Sequence, residues 1–97
     1  MKVQLTPRAL REAKRRKLWW LENRPAARDL FDEELAEVLE NIRTTPALGA
    51  AYPAKLGVPV RRVLMKRTKT HVFFAVHGEV IFVVSVWGAQ RRRGPKL

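Results

Sequence analysis

Three runs rich in Val, Ile and Phe fill most of the second half of the chain, at residues 60–66, 71–76 and 80–87. β-Branched and aromatic side chains fit a pleated, half-buried surface, so each run is predicted to be a strand. Between the last two lies Val76-His77-Gly78-Glu79, in which Gly78 supplies the positive φ that a tight hairpin turn demands. These two strands are therefore expected to be antiparallel neighbours. A sheet needs a cover for its apolar face, and with 97 residues there is material for one domain only. A domain of this size removes roughly 60–70% of its unfolded surface from water, so every apolar segment must serve a single core.

The first half provides the cover. Lys2 to Thr6 alternates, with Val3 and Leu5 on one side, and reads as a short strand. Thr6-Pro7 then starts a helix: the threonine hydroxyl caps the first turn, and proline loses nothing at the first helical position, where its missing N–H would have no partner. This helix is expected to reach Asn23, with Leu10, Ala13, Leu18, Trp20 and Leu21 on its apolar side and Lys14 and Lys17 intruding on that stripe. Trp19 points about 100° away from Trp20, toward solvent or a partner. Pro25 opens a second helix in which Ala27, Leu30, Phe31, Leu35, Val38, Leu39 and Ile42 keep the spacing of one buried face, with acids on the other. The short Asn23-Arg24 connection makes the two helices an antiparallel hairpin. Residues 44–59, with three prolines and two glycines, read as an ordered loop pinned by Leu48, Tyr52 and Leu56. The predicted fold class is α+β: an N-terminal strand and a helical hairpin packed on one face of a mostly antiparallel four-stranded sheet, its other face open. Residues 1–97 form the single domain, and 90–97 are a basic tail that nothing local obliges to fold.

Composition excludes several functions. Cysteine is absent, which removes a disulfide framework, a cysteine zinc site and thiol catalysis. His71 and His77 alone are too few for a metal centre, so neither metal nor cofactor is expected. The run at 80–87 is interrupted by Ser85 and is far short of the ~20 residues of a membrane helix. The N-terminus lacks the apolar stretch of a signal peptide, and a cytoplasmic location is expected.

Charge points to a partner. Lys and Arg number 20 against 9 Asp and Glu, a net +11. Residues 28–43 hold six of the nine acids and only two arginines, so the rest of the molecule is strongly cationic. A surface so charged attracts phosphate polymers or acidic proteins. Massing the bases on the open sheet face would give such a partner its seat.

In order and spacing, several segments resemble the RelE/ParE superfamily of toxins from bacterial toxin–antitoxin pairs. They are Thr6-Pro7-Arg8-Ala9-Leu10-Arg11, the acidic second helix ending near Thr45-Pro46-Ala47-Leu48-Gly49, Val60-Arg61-Arg62-Val63-Leu64, His71-Val72-Phe73-Phe74-Ala75-Val76, and the ending from Val84-Ser85-Val86-Trp87 through Gly94-Pro95. The resemblance implies a small cationic toxin neutralised by an antitoxin whose flexible, often acidic segment wraps it, in a heterotetramer or larger assembly. It implies one of two activities, since a shared fold hosts more than one function. RelE-like members cut mRNA on the ribosome with lysines and arginines of the sheet. ParE-like members poison DNA gyrase and lack that set.

This chain departs from the RNase pattern. His71 stands where those toxins place an arginine, and the one tyrosine, Tyr52, lies in the mid-chain loop. For RNA cleavage the candidates are His71 as general base, with Arg67, Lys66 and Arg91 holding the phosphate. For target binding they are Arg61, Arg62, Arg67, Lys69, Trp87, Arg91, Arg92 and Arg93, and for the antitoxin Lys14, Lys17 and Trp19. The ParE-like reading is favoured, a gyrase inhibitor that acts by occupancy. A ribosome-dependent endonuclease is the alternative, and a non-toxic basic nucleic-acid-binding module a further one.

Overall fold

The structure, a computed structural model, describes residues 1–97. In chain order it has β1 (Lys2–Leu5), α1 (Pro7–Asn23), a 3-10 turn (Pro25–Ala27), α2 (Leu30–Thr44), β2 (Ala50–Tyr52), β3 (Val60–Met65), β4 (Thr70–His77) and β5 (Val80–Gly88). The sheet order is β1-β5-β4-β3-β2, with only the β1–β5 pair parallel. The predicted strands, the β4–β5 hairpin with Gly78 at φ +61 and the one-sided helical cover are all present. Thr6 caps α1 by accepting the Ala9 N–H at 3.2 Å.

There are five strands, not four. Part of the predicted loop pairs with β3 as β2, Ala50 opposite Arg62 and Tyr52 opposite Val60. The turn into β2 brings Gly49 (φ +86) so close to β3 that a Cβ there would sit 2.2 Å from the Arg62 carbonyl oxygen. Only glycine permits that approach. Three residues with two alanines carry no strand pattern, which is why this segment reads as loop. The second helix also differs: Pro25 opens the 3-10 turn, and α2 begins at Leu30.

The main core lies between helices and sheet, with Phe31, Val38 and Ile42 of α2, Ala9, Ala13 and Trp20 of α1, and Val63, Met65, Val72, Phe74, Ile81, Val83 and Val86 of the sheet. Burial of each large side chain contributes about 1.5–3 kcal/mol. The leucines of α1 depart from expectation. Trp20 is 8% exposed, but Leu10, Leu18 and Leu21 face solvent, Leu18 at 56%. The alanines and the half-buried Arg16 take the inner side, because small residues let the helix lie close to β5.

The second sheet face is not open, and the tail is not loose. Val60, Phe73 and Ala75 form a smaller core there, with Tyr52, Ala54, Val84, Trp87 and Leu97 against it. Four hydrogen bonds hold the tail. Tyr52 Oη donates to the Pro95 carbonyl at 2.8 Å, Trp87 Nε1 to Arg93 at 2.7 Å and Arg8 Nη1 to Lys96 at 2.8 Å. The Lys55 N–H donates to Leu97 at 2.8 Å. Pro95 is buried. The tail thus acts as a strap across the β2–β4 part of the face.

Candidate functional site

The bases do not mass on one face; the fold sorts them into three settings. At the β3–β4 turn the cations meet acceptors. Glu34 of α2, 6% exposed, turns away from the predicted acidic face and into the protein. Its carboxylate accepts the Arg67 N–H at 2.8 Å, the Thr68 N–H at 2.9 Å and the Thr68 hydroxyl at 2.7 Å. Burial raises the Glu34 pKa, but these hydrogen bonds and the Arg67 charge together outweigh it and leave the carboxyl below its ordinary value. The Arg67 guanidinium pairs with Glu37 at 2.6 Å and lies 3.5 Å from Glu34. Arg61 donates to the carbonyls of Leu48 and Gly49 at 3.0 and 2.6 Å, so it fastens the approach to β2. Lys66 and Lys69 are exposed on this turn.

The second face carries Arg62, Leu64, His71 and Trp87 beside the strap. His71 is opposite Trp87 on β5 and Leu64 on β3, with its ring 5.9 Å from that of Phe73. Burial first, and then the Arg62 charge, lower its pKa, so the ring is neutral near pH 7. Its polar neighbour is cationic, and no ion pair or hydrogen bond ties it to a carboxylate that would orient a general base. Arg91 stacks on Trp87, its guanidinium carbon 3.7 Å from the ring centroid. Arg92 and Arg93 are exposed. Of the four residues expected to cut RNA, Arg67 is bound to α2, Lys66 is on the turn, and only His71 and Arg91 flank a common side chain, Trp87.

The third setting is the cleft between α1 and the end of β5. It measures about 330 Å³ and is lined by Arg15, Arg16, Trp19, Gln90 and Arg91 over Gly88 and Val86. β1 ends opposite Val83, and beyond it Glu12 takes the place of a strand by accepting the Ser85 hydroxyl at 2.8 Å and the Val86 N–H at 3.1 Å. Arg16 reaches across to donate to Thr70 Oγ1 at 3.1 Å and to the Thr68 carbonyl at 2.8 Å, while its guanidinium lies 5.0 Å from the Trp19 ring.

The antitoxin candidates are divided by α1 itself. At about 100° per residue, Leu10, Lys14, Lys17, Leu18 and Leu21 share one stripe, and Trp19 lies well over 90° from its centre, in the cleft. Lys17 pairs with Asp32 of α2 at 2.9 Å. Trp19, 40% exposed, does point outward as expected.

A family described as the ParE toxin of type II toxin–antitoxin systems, parDE, matches residues 3–93. The chain belongs to that family. A solved structure of the chromosomal ParDE toxin–antitoxin system from P. aeruginosa is similar in fold, with a TM-score of 0.75 at 16% identity over 93% of this chain and 97% of that one. No curated protein matches the chain. As a type II toxin it has a cognate antitoxin for a partner. No helix of the toxin is long and apolar enough to cross a membrane.

Sequence reasoning missed Glu12, Glu34, Arg15 and Arg16. Ser85 was the available signal for Glu12, since a hydroxyl inside an apolar strand needs a buried partner. Glu34 sits at the i+3 position from Phe31 and the i−4 position from Val38, which puts it on the buried stripe of α2 rather than its acidic face.

Proposed function

We propose that this toxin, once free of its antitoxin, inhibits DNA gyrase in the cytoplasm by occupying it, without chemistry of its own. The observation that carries this reading is the dispersal of the side chains a metal-free RNase needs. Arg67 is engaged by Glu34 and Glu37 on the helical side, His71 has no orienting carboxylate on the other, and Arg91 lies flat on Trp87. General acid–base cleavage requires base, phosphate clamp and leaving-group donor around one point. The surface offered to the target is then Trp87 with Arg91, Arg92, Arg93 and Arg62 beside the strap.

For the antitoxin we favour the exposed stripe of α1. Leu10, Leu18 and Leu21 leave an apolar band beside Lys14 and Lys17, which suits an amphipathic segment carrying acids. The Lys17–Asp32 pair is exposed and weak, so a partner carboxylate can replace Asp32. The complex is a heterotetramer or larger.

The test combines two readouts on the purified toxin. Gyrase supercoiling should be inhibited, Arg92→Ala with Arg93→Ala should relieve the inhibition, and antitoxin should abolish it. Transcripts cut on ribosomes with supercoiling unaffected would replace this reading with the endonuclease.

A further inference from the structure

The cleft between α1 and β5 has the chemistry of a phosphate site, and it meets the strap face at Arg91, which lines the cleft and stacks on Trp87. A Cβ built on Gly88 would meet Arg16 Cζ, Arg16 Nη1 and Arg91 Cγ, each at 3.7 Å. The Arg16 guanidinium and the Arg91 stem therefore border one bare stretch of backbone, with the Arg91 guanidinium at the rim on Trp87, and Arg15 enters from the next position along α1. None of the three takes part in any ion pair of the chain; those pairs join Arg8, Lys17, Arg43 and Arg67 to acids. One carboxylate lines the cleft, Glu12, and it is already committed to the Ser85 hydroxyl, the Val86 N–H and Arg8.

Arg16 is held by Thr70, Thr68 and the Lys69 carbonyl at 3.3 Å through Nε and Nη2, which leaves Nη1 as a fixed donor toward the cleft. Burial lowers its pKa, yet a guanidinium so far above neutrality stays charged. A donor already in place loses little freedom when an anion arrives. Trp19 adds an apolar wall of the kind on which bases stack.

We propose that this cleft is a phosphate-binding seat, in which Arg15, Arg16 and Arg91 together hold one phosphate group of a nucleotide, free or within a strand, with its base or sugar against Trp19. A carboxylate is satisfied by a single bidentate guanidinium, whereas a terminal phosphate offers three oxygens and up to two charges and a strand brings further phosphates, which suits three arginines around one cleft. The proposal does not depend on what the toxin inhibits.

The test uses the full chain and NMR of arginine Nε–Hε groups, with inorganic phosphate, AMP, a short single-stranded DNA and tetraglutamate added in turn. Phosphate and AMP should move the Arg16 and Arg91 signals saturably. Arg15→Gln with Arg91→Gln should weaken DNA binding roughly tenfold or more and flatten the slope of log K against log salt by up to about 0.7 per lost phosphate contact. Arg24→Gln with Arg28→Gln, exposed arginines away from the cleft, should change affinity less than twofold. A DNA affinity far above that for AMP identifies a strand as the source of the phosphate; equal affinities identify a free nucleotide. Equal losses in the two double variants would mean diffuse charge only, and tetraglutamate binding as tightly as AMP would mean a carboxylate site. Either result, or unmoved arginine signals, overturns the proposal.

Discussion

Arg61 and Arg67, on β3 and the turn after it, and Arg15 and Arg91, at the cleft between α1 and β5, are the same residue type in the same cationic chain, yet the fold gives them opposite tasks. Arg61 fastens the Leu48–Gly49 backbone beside β2, and Arg67 binds the carboxylates of α2. Arg15 and Arg91 have no carboxylate partner and line an open cleft. A net charge of +11 therefore overstates what is available to a partner. Whether a guanidinium is mortar or bait depends on the acceptors that the backbone brings within about 3 Å of it.

The sharpest way to break this contrast is to remove the acceptor. Glu34→Ala strands the N–H groups of Arg67 and Thr68 and leaves the Thr68 hydroxyl only Thr70 Oγ1 at 3.3 Å, and an orphaned buried polar group costs about 1–3 kcal/mol. We expect a total loss of about 3 kcal/mol in urea unfolding, or a fall in Tm of roughly 12–24 °C for a domain of this size. A loss under 1 kcal/mol would show that the turn does not depend on α2.

The arginines themselves should then divide. Arg61→Gln should lower stability by about 1 kcal/mol, the worth of its hydrogen bonds to the β2 approach, and leave DNA affinity unchanged. Arg15→Gln should do the reverse, staying within about 0.5 kcal/mol of wild type. Thermal melts and DNA titrations on the same samples check both halves.

Tyr52→Phe removes one of the four anchors of the strap. It should cost about 1 kcal/mol and speed amide exchange of Lys55, whose N–H donates to the Leu97 carbonyl, while the main core keeps its protection. Unchanged exchange would mean that the strap rests on Trp87, Arg8 and Lys55 alone.

The smallest effect concerns His71. Its pKa is lowered in the fold, so on acidification the unfolded chain takes the proton first. That contribution to stability is present above about pH 6.5, the unfolded value, and is lost as pH falls through the folded pKa. His71→Gln should flatten the decline of the urea midpoint just below pH 6.5, without affecting the separate loss at lower pH as Glu34 takes its proton.

Legibility follows from whether a feature is local. The Thr6 cap, the α2 stripe, four of the five strands and the Gly78 turn are set by neighbours in sequence, and all were readable. The outward Trp19 was readable by the same geometry. β2 was not, because its pairing depends on the close approach at Gly49 rather than on its own residues. The strap was not, because its anchors are carbonyls that every residue carries, gripped by Tyr52, Trp87 and Arg8 from far along the chain. The cleft was hidden for a similar reason: Glu12 and Ser85 are 73 residues apart, and nothing in either segment announces the other.

The division of the arginines can be measured directly by the solvent exchange of their Nε–H protons in the free protein. Arg16 and Arg61, whose Nε–H groups donate at 3.1 and 3.0 Å, should exchange slowly, and Arg15 at the rate of a free side chain. A common rate for all three would contradict the account.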